Sequence, residues 1–188
     1  MGEDSDNRGS AAEQYLQAQA AVVLEGLSRE PDSPELRREL LAVCDKMFSA
    51  PLDISPDPSR DLSGRVLVQV NQFALAGDAG SLKALMRAAL GPYGKTTAEG
   101  SEWLNEMLWH NFETNPQLTL DTLGEIPSVS RDELMAQVYT RPIHDGFDFQ
   151  KIHTAISTST RPAELSEEVG RIIEIIQVHL PDEPPGDN

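Results

Sequence analysis

Three stretches of this sequence place reactive side chains at spacings that could support chemistry. His144 and Asp145 are adjacent, with His110 upstream and Asp182 downstream. Imidazole and carboxylate ligands converging on a divalent cation, with one position left for water, would generate a hydroxide able to attack a phosphate ester. Glu102, Glu106, His110 and Glu113 fall on one face if their segment is a helix. Such a stripe could hold a divalent metal with help from a second helix, although the Glu-x-x-His spacing of di-iron bundles is absent. Gly91-Pro92-Tyr93-Gly94-Lys95-Thr96 ends like a phosphate-binding loop, in which backbone N–H groups and a lysine cradle the phosphates.

Each stretch also has a plainer reading. The His144-Asp145 pair resembles the paired ligands of the HD-domain phosphohydrolases, an all-helical family. The resemblance implies His110 as the upstream ligand, Asp182 as the distant one, and metal-dependent phosphohydrolysis. Two departures count against it: Pro142 interrupts the helix that should carry the pair, and Asp182 sits in a polar tail. A turn in which Asp145-Gly146 supplies the left-handed conformation explains the dipeptide without a metal. The glycine-lysine stretch lacks the first glycine of the full pattern, where Ala89 stands, and no strand precedes it. A helix stop, a loop and a Thr96 cap account for it. The Glu102 to Glu113 stripe is expected to be the solvated face of an amphipathic helix. Cys44, the single cysteine, lies beside an apolar stripe and is expected to be a small core residue. No Gly-x-Ser-x-Gly elbow and no Cys-x-x-Cys occurs.

The elements that must position these residues read as helices. Leu16, Ala20, Val23 and Leu27 form one stripe in a helix from about Ala11, and Pro31 ends it. Ser33-Pro34 opens a second helix lined by Leu36, Leu40, Val43 and Met47. Residues 49–61 hold Pro51, Pro56 and Pro58, which makes them a loop and a possible lobe boundary. Residues 62–76 are ambiguous: Val66, Val68 and Val70 alternate like a strand, while Leu62, Val66, Val70 and Phe73 recur like a helix, and the longer pattern favours helix. Further helices follow on Leu82 to Leu90, on a Thr96/Glu99 capping box, on Asn115-Pro116, on a Ser130/Glu133 capping box, on the Asp148 cap, and on Leu165 to Leu180. The expected architecture is all-α, with eight or nine amphipathic helices stacked as antiparallel hairpins over residues 11–180. Residues 1–10 and 181–188 are expected to be disordered. Pro116, Leu123, Gly124 and Ile126 recur as Pro162, Val169, Gly170 and Ile172, a period in the HEAT range, so a HEAT-like arrangement of the C-terminal half is considered.

Composition then narrows the function. Acidic residues number 31 and basic ones 15, for a net charge of −16. A field of that sign repels nucleic acid and anionic membranes and attracts basic surfaces. The start of the chain lacks a signal-peptide pattern, and with one cysteine the expected location is cytoplasmic. No cofactor is expected. The leading expectation is a non-enzymatic protein-binding module, an adaptor, chaperone or inhibitor, that steers onto a basic protein. An acidic helical inhibitor of a basic toxin or nuclease, of the kind bacterial immunity proteins are, would fit this physics. The expected contact residues are Tyr93, Trp109, Asp145, Phe147 and Asp148, aromatics beside acids. Trp103 and Trp109 are six positions apart, about 120° around a helix, so one of them is expected to be core. The alternatives are the metal-dependent phosphohydrolase centred on His144 and Asp145, and a structural subunit whose acidic surface serves solubility.

Overall fold

The computed structural model describes residues 11–49, 62–96, 98–139, 148–159 and 165–179, and every regular element among them is a helix. The disordered termini, most of the proline-rich loop and the turn at Pro142 to Gly146 expected above lie outside the described residues. In order, the elements are α1 (Ala11–Arg29), α2 (Pro34–Ser49), α3 (Leu62–Leu75), α4 (Ala79–Leu90), α5 (Pro92–Thr96), α6 (Ala98–Thr114), α7 (Pro116–Gly124), α8 (Ser128–Leu134), α9 (Phe149–Thr158) and α10 (Ser166–His179). Helix α8 widens into a π turn over Met135–Tyr139. The fold class expected from periodicity holds: the structure is all-α, and sequence neighbours pair as α1 with α2, α3 with α4 and α9 with α10.

The stripes read from the sequence face inward. Ala20, Val23 and Leu27 of α1 are buried against Leu40, Val43, Cys44 and Met47 of α2, with Leu16 packed at the edge. Residues 62–75 are helix, and Val66, Leu67, Val70, Phe73 and Ala74 are buried while Val68 is only half-buried. The helical period therefore wins over the valine alternation. Helices on both sides of the proline-rich stretch touch, since α1 contacts α3, and α2 contacts α3 and α4.

Helix α3 ends in a Schellman motif. Gly77 has φ 96°, its N–H donates to Ala74 O, and the Asp78 N–H donates to Phe73 O. Asp78 then opens α4, its carboxylate accepting from the Ser81 N–H at 2.7 Å. Helix α4 is the centre of the molecule and touches α2, α3, α5, α6, α7 and α8. Ser81, Leu82, Ala84, Leu85, Met86, Ala88 and Ala89 are all buried, which wraps apolar surface around most of its circumference.

Three local expectations are corrected. The Ser130/Glu133 capping box does not start α8, because the helix begins at Ser128 and Pro127 O already accepts the Arg131 N–H at 2.9 Å. Thr96 closes α5, and α6 starts at Ala98, so Thr96 stands in the preceding helix where a cap was expected. Asn115 occupies the N-cap position of α7 without capping it; its Nδ2 donates 2.9 Å to Leu75 O and closes the end of α3. The four-position recurrence marks unlike places: Gly124 ends α7 and Ile126 lies beyond it, whereas Gly170 and Ile172 fall inside α10, and Pro162 is outside the described residues.

Close approach fixes two glycines. A Cβ on Gly91 would lie 2.2 Å from Phe48 O, and one on Gly94 would lie 2.3 Å from Ala89 O. Nothing lies within 4 Å of a Cβ built on Gly170. Gly91→Ala and Gly94→Ala are therefore expected to destabilise by about 1–3 kcal/mol through backbone displacement. Gly170→Ala should stabilise by up to about 1 kcal/mol through helix propensity. Urea unfolding of the three variants checks the contrast in sign.

Candidate functional site

Helix α6 is the element on which most candidate residues fall. Its inner face buries Leu104, Met107, Leu108, Trp109 and Phe112. Its outer face carries Glu102, Glu106 and His110, all exposed, with Trp103 half-buried among them. Trp103, Glu106 and His110 stand at i, i+3 and i+7, one line along the helix. The helix contains no lysine or arginine, so this face carries only negative charge apart from His110. His110 Nδ1 lies 3.5 Å from Glu113 Oε2, an i,i+3 pair on the same helix.

Polar side chains set the rotation of α6 about its axis. Trp109 is 1% exposed, and its Nε1–H donates 3.2 Å to Val138 O in the π turn. Asn105 Nδ2 donates 3.3 Å to Gln137 O in the same turn. Both acceptors lie in the π turn, so the two bonds tie α6 to the segment that follows α8. Asn111, fully buried, donates 2.7 Å to Asn71 Oδ1 of α3. Around Trp109 the rings of Tyr139 and Phe149 pack edge-on at 5.5 and 6.1 Å. Burial raises the Tyr139 hydroxyl pKa.

The contact residues expected from the sequence separate accordingly. Trp109 and Tyr93 are corrected: both are core, Tyr93 being 6% exposed and packed edge-on against Phe48 at 5.1 Å. Trp103 is the tryptophan that reaches the surface. The 120° between the two tryptophans leaves one for each side, and the bonds of Asn105, Trp109 and Asn111 to other segments turn Trp109 inward. Asp148 is exposed but engaged as the N-cap of α9, accepting 2.9 Å from the Lys151 N–H. Asp145 and Phe147 lie outside the described residues. So do His144 and Asp182, and with them the HD-like ligand set apart from His110, whose side chain is 54% exposed. Among the described residues no group of three or more His, Cys, Asp or Glu is placed to hold a metal. The glycine-lysine stretch forms the short helix α5, where Gly94 is packed against Ala89 and Lys95 Nζ pairs with Glu133 at 2.6 Å. No helix of the described residues is long and apolar enough to cross a membrane.

Most bases of the described residues are held by acids. Arg87 binds Asp45 through two bonds of 2.9 and 2.8 Å, joining α4 to α2. Arg37 pairs with Asp78 at 3.3 Å and stacks over Phe73 at 4.4 Å. Lys83 pairs with Glu125, and the buried Arg131 pairs with Glu168 at 3.0 Å, tying α8 to α10. Within single helices Arg29 pairs with Glu25 and Arg171 with Glu167. Cations are thus consumed in bracing, and the acidic surplus stays on open faces such as that of α6.

These features define an all-α protein with an acidic, aromatic-bearing helix face. Comparison with protein-family models, curated proteins and solved structures finds no match in any of the three.

Cys44 has a sharper signature. It is completely buried, and burial, with Asp45 adding and Arg87 opposing, pushes its thiol from 9.0 up to about 12. Below pH 9.0 the thiol is protonated in folded and unfolded chains alike, so it adds no pH dependence. Above that pH the unfolded chain loses the proton first, and the contribution to stability falls as pH rises toward about 12. Native protein at pH 8 should resist thiol reagents, with labelling that tracks unfolding in urea; rapid labelling of folded protein would contradict the burial. The tryptophans give a second check: Trp109→Ala should cost about 3–5 kcal/mol. Trp103→Ala should cost well under half of that in the same unfolding measurement.

Proposed function

We propose that this protein is a non-enzymatic binding module of adaptor, chaperone or inhibitor type, and that the outer face of α6 receives a basic protein. The observation that carries the reading is the composition of that face: Glu102, Glu106 and a half-buried Trp103 with no lysine or arginine on the helix. Steering by the −16 net charge brings a cationic surface to the molecule and accelerates association by roughly 10- to 1000-fold. Trp103 supplies the anchor, because a partly exposed indole offers large apolar area and a cation–π surface for arginine or lysine. The acids beside it supply register through charge-assisted hydrogen bonds.

The rigidity of α6 supports the reading. Trp109, Asn105, Asn111 and Asn115 fasten the helix to α3 and to the π turn, so its outer face is presented without a reordering cost. Inhibition of a basic toxin or nuclease is the form of this activity that needs nothing more than occlusion of a cationic site.

The test compares wild type with Glu102→Lys/Glu106→Lys and with Trp103→Ala as baits for cross-linked partners from the native cell, read by mass spectrometry and followed by binding kinetics. Partners should be lysine- and arginine-rich. The charge reversal should slow association at least tenfold at low salt, and Trp103→Ala should act mainly on dissociation. Partners retained equally by all three baits, or an association rate indifferent to salt, would remove the proposal.

A further inference from the structure

Helix α1 carries a different surface. The stretch from Gln14 to Leu24 in α1 has no Asp, Glu, Lys or Arg, although 24% of the chain is charged. Tyr15 and Val22 on its outer side are 63% and 68% exposed. Between α1 and α2 runs an open groove of about 320 Å³, lined on the α1 side by Ala18, Val22 and Val23 and on the α2 side by Ala42 and Val43. Glu39 and Lys46 stand at its two ends. Neither makes an ion pair with a described residue that the structure records, unlike most of the bases above. They are two helical turns apart, about 10.5 Å along α2. The small exposed Ala42 lies between them.

We infer that this face joins two copies of the chain, with α2 running antiparallel to its own counterpart about a two-fold axis beside Ala42 and Val43. Glu39 and Lys46 lie symmetrically about that point. The axis therefore sets Glu39 of each copy against Lys46 of the other, the reciprocal pairing an isologous interface requires. Ala42 at the centre lets the backbones approach, and Val22 with Tyr15 fills the groove of the facing copy. A contact between two chains of −16 charge is tolerable only where the surface is locally neutral, and the charge-free run of α1 provides that. A face two helices wide and roughly 25 Å long offers about 500 Å² per copy in projection, at the low end for a specific dimer. This dimer contact does not rest on the α6 proposal, because it uses a separate face and a different charge logic.

Sedimentation velocity of the full chain over a dilution series, at low and at moderate salt, tests the inference. Wild type should show a reversible dimer that tightens as salt rises, since screening relieves repulsion between like-charged chains. Val22→Asp should be monomeric with an unchanged thermal unfolding curve, because the side chain is exposed. Glu39→Lys and Lys46→Glu should each weaken the dimer roughly tenfold, every substitution acting twice across the two-fold axis. Glu39→Lys does so even though it lowers the charge of each chain from −16 to −14, which by itself would ease association. The double variant Glu39→Lys/Lys46→Glu should restore wild-type affinity. A monomer at every concentration, a dimer indifferent to Val22→Asp, or a double variant as weak as the single ones would overturn the inference.

Discussion

The central helix α4 is the constraint on which the remaining structure depends. It touches six other helical segments, and a helix of twelve residues can do so only if its own side chains are small on several sides. Ala84, Ala88, Ala89 and Ser81 meet that need, while Leu82, Leu85 and Met86 fill the spaces between neighbours. Both ends of the helix are pinned. At its start Asp78 does three things at once: its N–H closes α3, its carboxylate caps α4, and the same carboxylate receives Arg37 from α2. At its end Gly91 passes so close to Phe48 O that no side chain fits. The direction in which the chain leaves α4, and with it the placement of α5 and α6, follows from those two ends.

From there the orientation of α6 is decided by hydrogen bonds more than by apolar area. Leucine, methionine and tryptophan occur around much of this helix, so burial alone leaves its rotation open. Asn105, Trp109, Asn111 and Asn115 each reach a partner on another element, and three of those partners are backbone carbonyls. A buried carbonyl without a donor costs about 1–3 kcal/mol, so rotating α6 to bring Trp109 outward would expose several such costs together. The same bonds that turn Trp109 inward turn Glu102, Glu106 and Trp103 outward. The acidic face is a consequence of polar fastening through Asn111 and Asn115 on the opposite side, with Trp109 and Asn105 closing its margin.

This explains which features were legible in the sequence. Period and breaker residues locate the helices, because burial of one stripe and the geometry of proline and glycine act locally: Leu40, Val43 and Met47 are inward as their spacing requires, and Ser33-Pro34 starts α2. Even the valine alternation at residues 66–70 yields to the longer helical period. The choice between Trp103 and Trp109 was not legible, since both lie on an amphipathic helix and the deciding acceptors, Gln137 O, Val138 O and Asn71 Oδ1, belong to distant segments. Asn115 shows the same limit. Its type suits an N-cap, but a cap residue serves whichever orphan carbonyl or N–H is near, and here that is Leu75 O on another helix. The π turn at Met135–Tyr139 left no trace in the apolar spacing, because one widened turn shifts the register by a single residue.

Charge ties these observations together through where the cations go. Arg37, Lys83, Arg87, Lys95 and Arg131 each neutralise an acid on a different element, so positive charge is drawn into the joints between helices. The acids left over must lie on faces that no helix covers, and α6 carries such a face with no lysine or arginine of its own. The uncharged stretch of α1 is the complement of that arrangement. A surface bearing neither sign contributes no steering, and contact across it is governed by apolar area and by the two charges at the ends of the groove. Ionic strength therefore acts in opposite directions on the two faces. It weakens attraction at α6 by screening unlike charges and relieves repulsion at α1 and α2 by screening like ones.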